Sequence, residues 1–286
     1  MTRAWLILAD ILVTLLLLGS LILFYLYPPK TDKLTLQRME GNVTSELFRL
    51  PTIDLNATIT LEDLIRMGQE VSQEEYVIEN KFLSRTLEEG LTELSGKVGD
   101  PVFIRIFKEE SLLEVWMRSG TEYAHLKDYA ICAYSGALGP KLKEGDRQAP
   151  EGFYKVKKHL LNPNSKFHLS FNLGYPNAYD RAHERTGSFL MVHGNCVSDG
   201  CYAMTDEKIE EIYALLEGAL DNGQKYVQVH VYPFRMTEEN MALFSDNEWY
   251  DFWVNLKEGY DYFESEKLPA KVNVKNKLYT IHEANE

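Results

Sequence analysis

The strongest constraint on the fold of this chain is a series of short apolar segments that starts after residue 100. Segments 102–107 and 112–117 flank a four-residue polar turn and have the length and composition of β-strands. One amphipathic helix interrupts the series, because Ile209, Ile212 and Leu216 recur at intervals of three and four. Many short strands with one long helix predict a strand-rich α+β domain, either a mixed β-sandwich or a partly closed barrel. Further strands are predicted at 129–134, 153–156, 167–171, 189–192 and 226–232.

A histidine and a cysteine lie close together in the sequence just before this helix. His193 follows the strand predicted at 189–192, and Cys201 comes eight residues later, where it follows a glycine and opens the predicted helix. The thiolate is the reactive form of cysteine, and a neighbouring imidazole is a usual device for generating it. Backbone N–H groups at a helix N-terminus lower a thiol pKa and hold a developing oxyanion. We therefore predict that Cys201 is a nucleophile and that His193 is its general base.

The segments around this pair resemble the YkuD-type L,D-transpeptidase family, and in particular its YafK-like branch. The resemblance covers about half of the chain, from residue 101 to residue 237. That branch includes the amidase that detaches Braun's lipoprotein from peptidoglycan, and the family fold is a β-sandwich-like catalytic domain. Two departures from the usual family pattern are Asp199, which replaces the histidine before Gly–Cys, and a shorter loop between His193 and Cys201. The segments that carry the resemblance are 143–154, 175–181, 187–206 and 232–237.

The resemblance implies a role for each residue near the cysteine. The backbone carbonyl of Gly194 orients the His193 imidazole. Backbone N–H groups around Gly200, Cys201 and Tyr202 are the candidate oxyanion donors, and the hydroxyl of Ser198 shapes the turn. The carboxylate of Asp199 would oppose thiolate formation if it pointed inwards, and we favour the alternative, in which it points to solvent.

Three further residues are candidates for substrate binding. Arg181 has the planar guanidinium that suits a diaminopimelate carboxylate. Asp180 and Arg181 either contact a peptide carboxylate or close their own loop by hydrogen bonding. Arg235 either lines the same cleft or forms a structural ion pair. No cofactor and no metal is expected, because the histidines and cysteines lack the spacing of a metal site.

The resemblance implies cysteine-dependent acyl-enzyme chemistry on peptidoglycan stem peptides at diaminopimelate. The reaction ends either by hydrolysis, which releases an attached protein or peptide such as a lipoprotein, or by transpeptidation. The alternative is a non-catalytic envelope module that binds peptidoglycan. Cys132, Cys196 and Cys201 do not form a disulfide framework. Cys196 is expected to be a small buried side chain, with a disulfide to Cys201 as the alternative.

The chain is predicted to have four parts: an anchor at 1–28, a helical spacer at 29–99, the catalytic domain at 100–237 and a helical extension with a polar tail at 238–286. Ala4 to Tyr27 is apolar apart from Asp10 and a few small polar groups, and as a helix it would be about 36 Å long, enough to cross a bilayer. Arg3 precedes it, which predicts a single-pass inner-membrane protein with its catalytic domain in the periplasm. A cleaved signal peptide is the alternative. The formal net charge of −13 argues against nucleic-acid binding.

Overall fold

The computed structural model describes residues 81–284. The predicted anchor and most of the predicted spacer therefore lie outside the described residues. Within 81–284, no helix is long and apolar enough to cross a membrane. The strands are β1 (Val102–Phe107), β2 (Leu112–Ser119), β3 (Glu122–Ala130), β4 (Ala133–Tyr134), β5 (Gly152–Val156), β6 (Leu161–Ser165), β7 (His168–Asn172), β8 (Met191–His193), β9 (Tyr202–Ala203), β10 (Val227–Tyr232), β11 (Lys271–Lys275) and β12 (Leu278–His282). The α-helices are α1 (Leu87–Leu94), α2 (Ala178–Ala182), α3 (Asp206–Asp221), α4 (Glu238–Leu243) and α5 (Tyr250–Glu266).

Five strands form a first sheet in the order β3-β2-β1-β10-β5. The central strand β1 pairs antiparallel with β2 and parallel with β10. All six of its residues are buried, so both faces of the strand are covered. This explains why its sequence is a nearly continuous apolar run and not an alternation. Arg105 is the exception in the run, and it is neutralised by Glu114 on β2, whose carboxylate lies 2.7 Å away.

A second sheet has the order β4-β9-β8-β7-β6. Its strands β8 and β9 are parallel, with Val192 opposite Tyr202 and His193 opposite Ala203. The loop at 194–201 makes the connection between these two short strands. This loop therefore starts directly after the candidate base and ends on the candidate nucleophile.

Helix α3 joins the two sheets into one core. It contacts β1 and β10 of the first sheet as well as β7 and β8 of the second. Its residues Ile209, Ile212 and Leu216 are fully buried, as the spacing of three and four predicts. They share a core with Ile104 of the first sheet and Val192 of the second.

The opposite face of the first sheet is covered by α5 and by the hairpin of β11 and β12. The ring of Phe263 on α5 lies 4.7 Å from that of Phe103, and the ring of Tyr279 on β12 lies 4.7 Å from that of Phe153. Within the segment expected to be a polar tail, Lys271–Lys275 and Leu278–His282 form strands. The sequence KVNVK alternates because Val272 and Val274 face inwards while the lysines are solvated.

The predicted strand-rich α+β class is confirmed, and two details of it are wrong. Both sheets are open, with β3 and β5 at the edges of the first and β4 and β6 at the edges of the second, so they do not form a barrel. The predicted helix follows the cysteine, but it begins only at Asp206. Tyr202 and Ala203 instead pair with β8 and are completely buried.

Candidate active site

The register of β8 and β9 brings His193 and Cys201 to the same face of the second sheet. His193 ends β8, and Cys201 immediately precedes β9. Since Val192 lies opposite Tyr202, continuing the pairing by one residue places Met191 opposite Cys201. Side chains alternate between the two faces of a strand, so positions 191, 193 and 201 point to one side.

The Cys201 thiol is free and partly exposed. Its Sγ lies 3.5 Å from the backbone nitrogen of Met191 and 3.7 Å from the carbonyl oxygen of Phe189. Burial raises the pKa of the Cys201 thiol above its ordinary value, and the Asp199 carboxylate raises it further, while the Met191 N–H and Lys141 act in the opposite direction. In the resting protein the group is therefore a thiol at neutral pH, and it needs a base to become a nucleophile.

His193 can act as such a base. The side chain is only 2% exposed, and its ring packs against that of Phe167 at 4.6 Å between centroids. Nδ1 lies 2.7 Å from the carbonyl oxygen of Gly194, which only accepts hydrogen bonds, so Nδ1 carries the proton and Nε2 has the free lone pair. Burial lowers the pKa of His193, and the Gly194 carbonyl partly opposes this shift. The imidazole is therefore neutral at pH 7 and able to accept a proton.

The turn after His193 depends on a glycine. A Cβ atom on Gly194 would lie 2.6 Å from the Asp206 carboxylate and 3.0 Å from the Phe167 carbonyl oxygen. The same Asp206 oxygen accepts the backbone N–H of Asn195 at 2.8 Å. The first residue of α3 thus fixes the backbone that orients the histidine.

Ser198 holds the backbone of Cys201 from both sides. Its Oγ donates to the Cys201 carbonyl at 2.7 Å and accepts the Cys201 N–H at 3.2 Å. Ser135 lies 2.8 Å from the same Oγ and completes its hydrogen bonding. Gly200, which lies between Ser198 and Cys201, has φ +94°, a backbone conformation that favours glycine. The Cys201 N–H is consequently occupied by Ser198 in the resting protein.

The sequence suggested that Cys201 lies at a helix N-terminus, and this expectation is wrong. Helix α3 starts at Asp206, after β9. Tyr202, whose N–H is a candidate oxyanion donor, has a fully buried side chain that donates from its hydroxyl to the Pro150 carbonyl at 2.8 Å. This bond ties the start of β9 to the loop that precedes β5.

Cys196 forms a disulfide with Cys132, across 64 residues of sequence. Both expectations for Cys196 are therefore wrong. It is exposed, not buried, and its partner is not Cys201. The disulfide fastens the loop at 194–201 to the segment before β4, and the pairing partner is distant in sequence, so spacing alone did not indicate it.

Asp199 points to solvent, with 78% of its side chain exposed, and it faces Arg147 across 3.7 Å. The two residues lie on the wall of a cavity of about 420 Å³. Phe189 also forms part of this wall, and its carbonyl oxygen is the atom near Cys201 Sγ. Lys141 and Glu144 supply the other charged side chains of the cavity.

The three residues predicted to bind substrate lie elsewhere. Asp180 is fully buried and bonds Arg185 at 2.9 Å, so it closes its own loop. Arg181 donates to the Pro176 carbonyl and lines a cavity beside β11 and β12. Arg235 pairs with Glu114 at 2.7 Å on a different cavity. Each residue thus has the local partner that was the alternative expectation, loop closure for Asp180 and Arg181 and a structural ion pair for Arg235.

Sequence reasoning missed Lys141 and Arg147 as cations beside the nucleophile. Arg147 lies within segment 143–154, which carries part of the family resemblance. That resemblance could have indicated Arg147 as a candidate site residue. Nothing in the local pattern distinguished it from Arg181 or Arg235. Only the folded loop between β4 and β5 brings it to the cavity wall beside Asp199.

One group of side chains has the composition of a metal site. Among residues 81–284, Glu114, His125 and Asp128 offer ligand atoms within 4.8 Å of one another. Glu114 already receives the guanidinium groups of Arg105 and Arg235, and His125 Nε2 lies 2.5 Å from Asp128. The carboxylate is thus compensated by two cations, and the group is an ion-pair network.

The fold and site define a strand-rich α+β domain with a cysteine and a histidine on neighbouring parallel strands. The sequence profile of the L,D-transpeptidase catalytic domain, YkuD, matches residues 101–231. The chain is also 50% identical over 184 residues to YafK of Escherichia coli K12, which is named as a candidate L,D-transpeptidase. That match covers 64% of this chain and 75% of YafK. The chain belongs to the L,D-transpeptidase catalytic-domain family.

Two solved structures show weaker similarity. The helical cell shape determining protein Pgp2 (K307A mutant) of Campylobacter jejuni is 20% identical with a TM-score of 0.39, covering 63% of this chain and 67% of Pgp2. Bd1075 of Bdellovibrio bacteriovorus is 21% identical with a TM-score of 0.36, covering 57% of this chain and 60% of Bd1075. The family assignment rests on the sequence matches and not on these scores.

Proposed function

We propose that this protein acts on peptidoglycan stem peptides through a cysteine acyl-enzyme, and that it completes the reaction with water. Membership of the L,D-transpeptidase catalytic-domain family supports the substrate class. The single observation that carries the mechanism is the pair of a free Cys201 thiol and a neutral His193 on one face of the second sheet.

The first half of the proposed reaction forms a thioester. Nε2 of His193 takes the thiol proton, and Sγ of Cys201 attacks the carbonyl carbon at the L-centre of diaminopimelate. The carbon–sulfur bond forms, the amide carbon–nitrogen bond breaks, and the imidazolium returns its proton to the leaving amine. The Met191 N–H, 3.5 Å from Sγ, helps to hold the sulfur during attack.

The second half consumes the thioester with water. His193 removes a proton from the water, and the hydroxide adds to the carbonyl. The carbon–sulfur bond then breaks, the Cys201 thiolate takes the proton back from the imidazolium, and diaminopimelate is left with a free carboxyl group. The partly exposed thiol supports access of water to the acyl-enzyme. The second candidate is transpeptidation, which replaces water by a substrate amine, and similarity to YafK, a candidate L,D-transpeptidase, favours it.

The experiment that tests this proposal is incubation of the full chain with purified sacculi that still carry covalently attached lipoprotein. Mass spectrometry then identifies released protein and changed muropeptides. We expect released protein with a free C-terminal amino acid and no new cross-links. New diaminopimelate–diaminopimelate dimers would establish transpeptidation instead.

The matched control for this experiment is Cys201→Ala. It must abolish both products, because it removes the only atom proposed to form the thioester. Turnover by this variant would overturn the mechanism. A wild-type protein that binds sacculi without changing them would instead support the non-catalytic envelope module.

We also propose that the chain is anchored in the inner membrane by residues 4–27, with the catalytic domain in the periplasm. The length of this apolar stretch and the preceding Arg3 support the proposal. Reporter fusions after residue 30, active only in the periplasm, together with mass measurement of the purified chain, test the topology and whether the segment is retained. A shortened N-terminus would establish a cleaved signal peptide.

A further inference from the structure

We propose that the cavity beside Cys201 is a subsite for a zwitterionic amino-acid group of the substrate, with Arg147 binding its carboxylate and Asp199 binding its ammonium. This rests on the proposed function, since the free stereocentre of a diaminopimelate residue carries such a group. The subsite would select stem peptides in which this stereocentre is unmodified.

The position of the cavity supports this inference. Phe189, Leu190 and Asp199 form part of its wall, and the Phe189 carbonyl oxygen lies 3.7 Å from Cys201 Sγ. The cavity of about 420 Å³ is large enough for an amino-acid side chain with its charged end. A group bound there therefore lies next to the carbonyl that the sulfur attacks.

The charges of the cavity match a zwitterion better than a simple anion or cation. Its charged side chains are two cations, Lys141 and Arg147, and two anions, Glu144 and Asp199. Lys141 is buried, and its charge is already taken by Asp146 and by a backbone carbonyl. The solvent-facing charges are therefore one cation, Arg147, and two anions, Asp199 and Glu144, so each end of a zwitterion has a partner of opposite sign.

Arg147 and Asp199 form an ion pair that a ligand can open. Their side chains are 80% and 78% exposed, and the distance of 3.7 Å between Arg147 Nε and Asp199 Oδ1 is too long for a hydrogen bond. Such exposed pairs contribute little to stability. The ligand carboxylate takes the place of Asp199 and forms two parallel hydrogen bonds with the Arg147 guanidinium. The ligand ammonium takes the place of Arg147 beside the Asp199 carboxylate. Both protein charges stay compensated throughout the exchange.

The loop that carries Arg147 is built before any ligand arrives. The Asp146 carboxylate accepts the backbone N–H groups of Leu142, Lys143 and Gln148 at 2.9 to 3.1 Å, and it also accepts Lys141 Nζ. Arg147 itself has φ +54°, a strained conformation for a residue with a side chain. The hydrogen bonds around Asp146 thus enforce the backbone that directs Arg147 to the cavity.

Binding to the full-length chain tests the inference. Calorimetry with the Cys201→Ala protein compares three synthetic stem peptides, which carry free diaminopimelate, diaminopimelate amidated at the free stereocentre, or lysine in its place. We expect the first to bind about 10- to 100-fold more tightly than the other two, as for a charged hydrogen bond. Adding Arg147→Gln should remove that preference, and Asp199→Asn should weaken binding of the amidated and lysine peptides as well.

Two matched controls separate this from a general effect of charge. Lys143→Gln removes a cation from the same loop, and Asp246→Asn removes an exposed carboxylate far along the chain; both should retain the preference. Equal binding of the three peptides, or a preference that survives Arg147→Gln, would overturn the subsite. If the Cys201→Ala protein binds the peptides selectively but the wild-type protein turns over none of them, the proposed function is contradicted. The proposed subsite is then retained.

Discussion

At the scale of single residues, the two reactive groups are both held in their neutral forms. Burial raises the pKa of Cys201 and lowers the pKa of His193. A preformed thiolate–imidazolium pair is therefore disfavoured, and in the proposed mechanism proton transfer accompanies attack on the substrate. This keeps the thiol unreactive until a carbonyl group is positioned beside it.

The protonation of His193 predicts the pH dependence of activity. Only the neutral imidazole accepts the thiol proton, and its pKa lies below the ordinary value of about 6.5. We expect kcat/KM to be constant through neutral pH and to fall only at a pH below that value. Since the unfolded chain binds this proton more readily, the free energy of unfolding should also decrease as the pH falls through the same window.

Alkylation of the thiol measures the other half of this prediction. The rate of Cys201 labelling by iodoacetamide, followed by mass spectrometry between pH 6 and pH 10, should rise with an apparent pKa above that of a free thiol. A small-molecule thiol measured under the same conditions is the control. Rapid labelling at pH 6 would mean that the resting protein already contains the thiolate.

At the scale of elements, the loop at 194–201 is fastened at several points. The Cys132–Cys196 disulfide joins it to the segment before β4, and Asp206 of α3 binds the backbone of Asn195. Ser198 holds Cys201 at the other end. The nucleophile is therefore positioned by neighbouring elements and not by the two short strands alone.

The disulfide should contribute to stability. It closes a loop of 64 residues, and a bond of this kind contributes about 2–4 kcal/mol to the free energy of unfolding. We expect Cys132→Ser/Cys196→Ser to lower the free energy of unfolding in urea by that amount. Dithiothreitol should lower the wild-type value similarly and leave the double variant unchanged. If dithiothreitol lowered the free energy of unfolding of the wild type and the double variant equally, its effect would not come from reduction of this disulfide.

A second element-scale prediction concerns the loop that carries Lys141 and Arg147. Lys108 is fully buried and bonds Glu151 at 2.9 Å, and Glu151 also accepts Gly139 N–H at 2.6 Å. Glu151→Gln leaves the buried cation without a counter-charge, which should lower the free energy of unfolding by about 3–5 kcal/mol.

The control for this variant is an ion pair whose carboxylate faces solvent and whose lysine keeps a second partner, Glu238. Lys257 and Asp261 pair at 2.7 Å near the surface of α5, so Asp261→Asn should cost less than about 1 kcal/mol. Urea denaturation at pH 7 compares the two variants. A similar loss of unfolding free energy in both variants would show that water can solvate the Lys108 ammonium.

The sequence predicts those features that local pattern and motif determine. Strands β1 and β10 and the periodicity of α3 follow from apolar spacing, and the motif identifies His193 and Cys201. The start of α3 was predicted too early, because the pairing of Tyr202 with β8 is a long-range contact. The disulfide and the position of Arg147 depend on the same kind of contact, so no local pattern could indicate them.

At the scale of the whole molecule, the catalytic domain extends beyond its family match. The matched region ends at residue 231, and the domain boundary predicted from sequence was residue 237. Helix α5 nevertheless covers the face of the first sheet that is opposite α3, with Trp253 and Phe263 fully buried. Trp253 also donates to the buried Glu151 carboxylate at 2.8 Å, which links α5 to the loop beside the active site.

A chain truncated after Thr237 should therefore fail to fold. Each large apolar side chain buried between α5 and the sheet contributes about 1.5–3 kcal/mol, and several of them together equal the total stability of a typical domain, about 5–15 kcal/mol. We expect this truncated chain to be insoluble or to lack a cooperative thermal transition, whereas a chain truncated after Glu283 should keep both solubility and the wild-type Tm. Circular dichroism and thermal denaturation make the comparison. A soluble, cooperatively folding chain that ends at Thr237 would mean that the first sheet is stable with one face uncovered, and that residues 238–282 are an addition to the catalytic domain and not a part of its core.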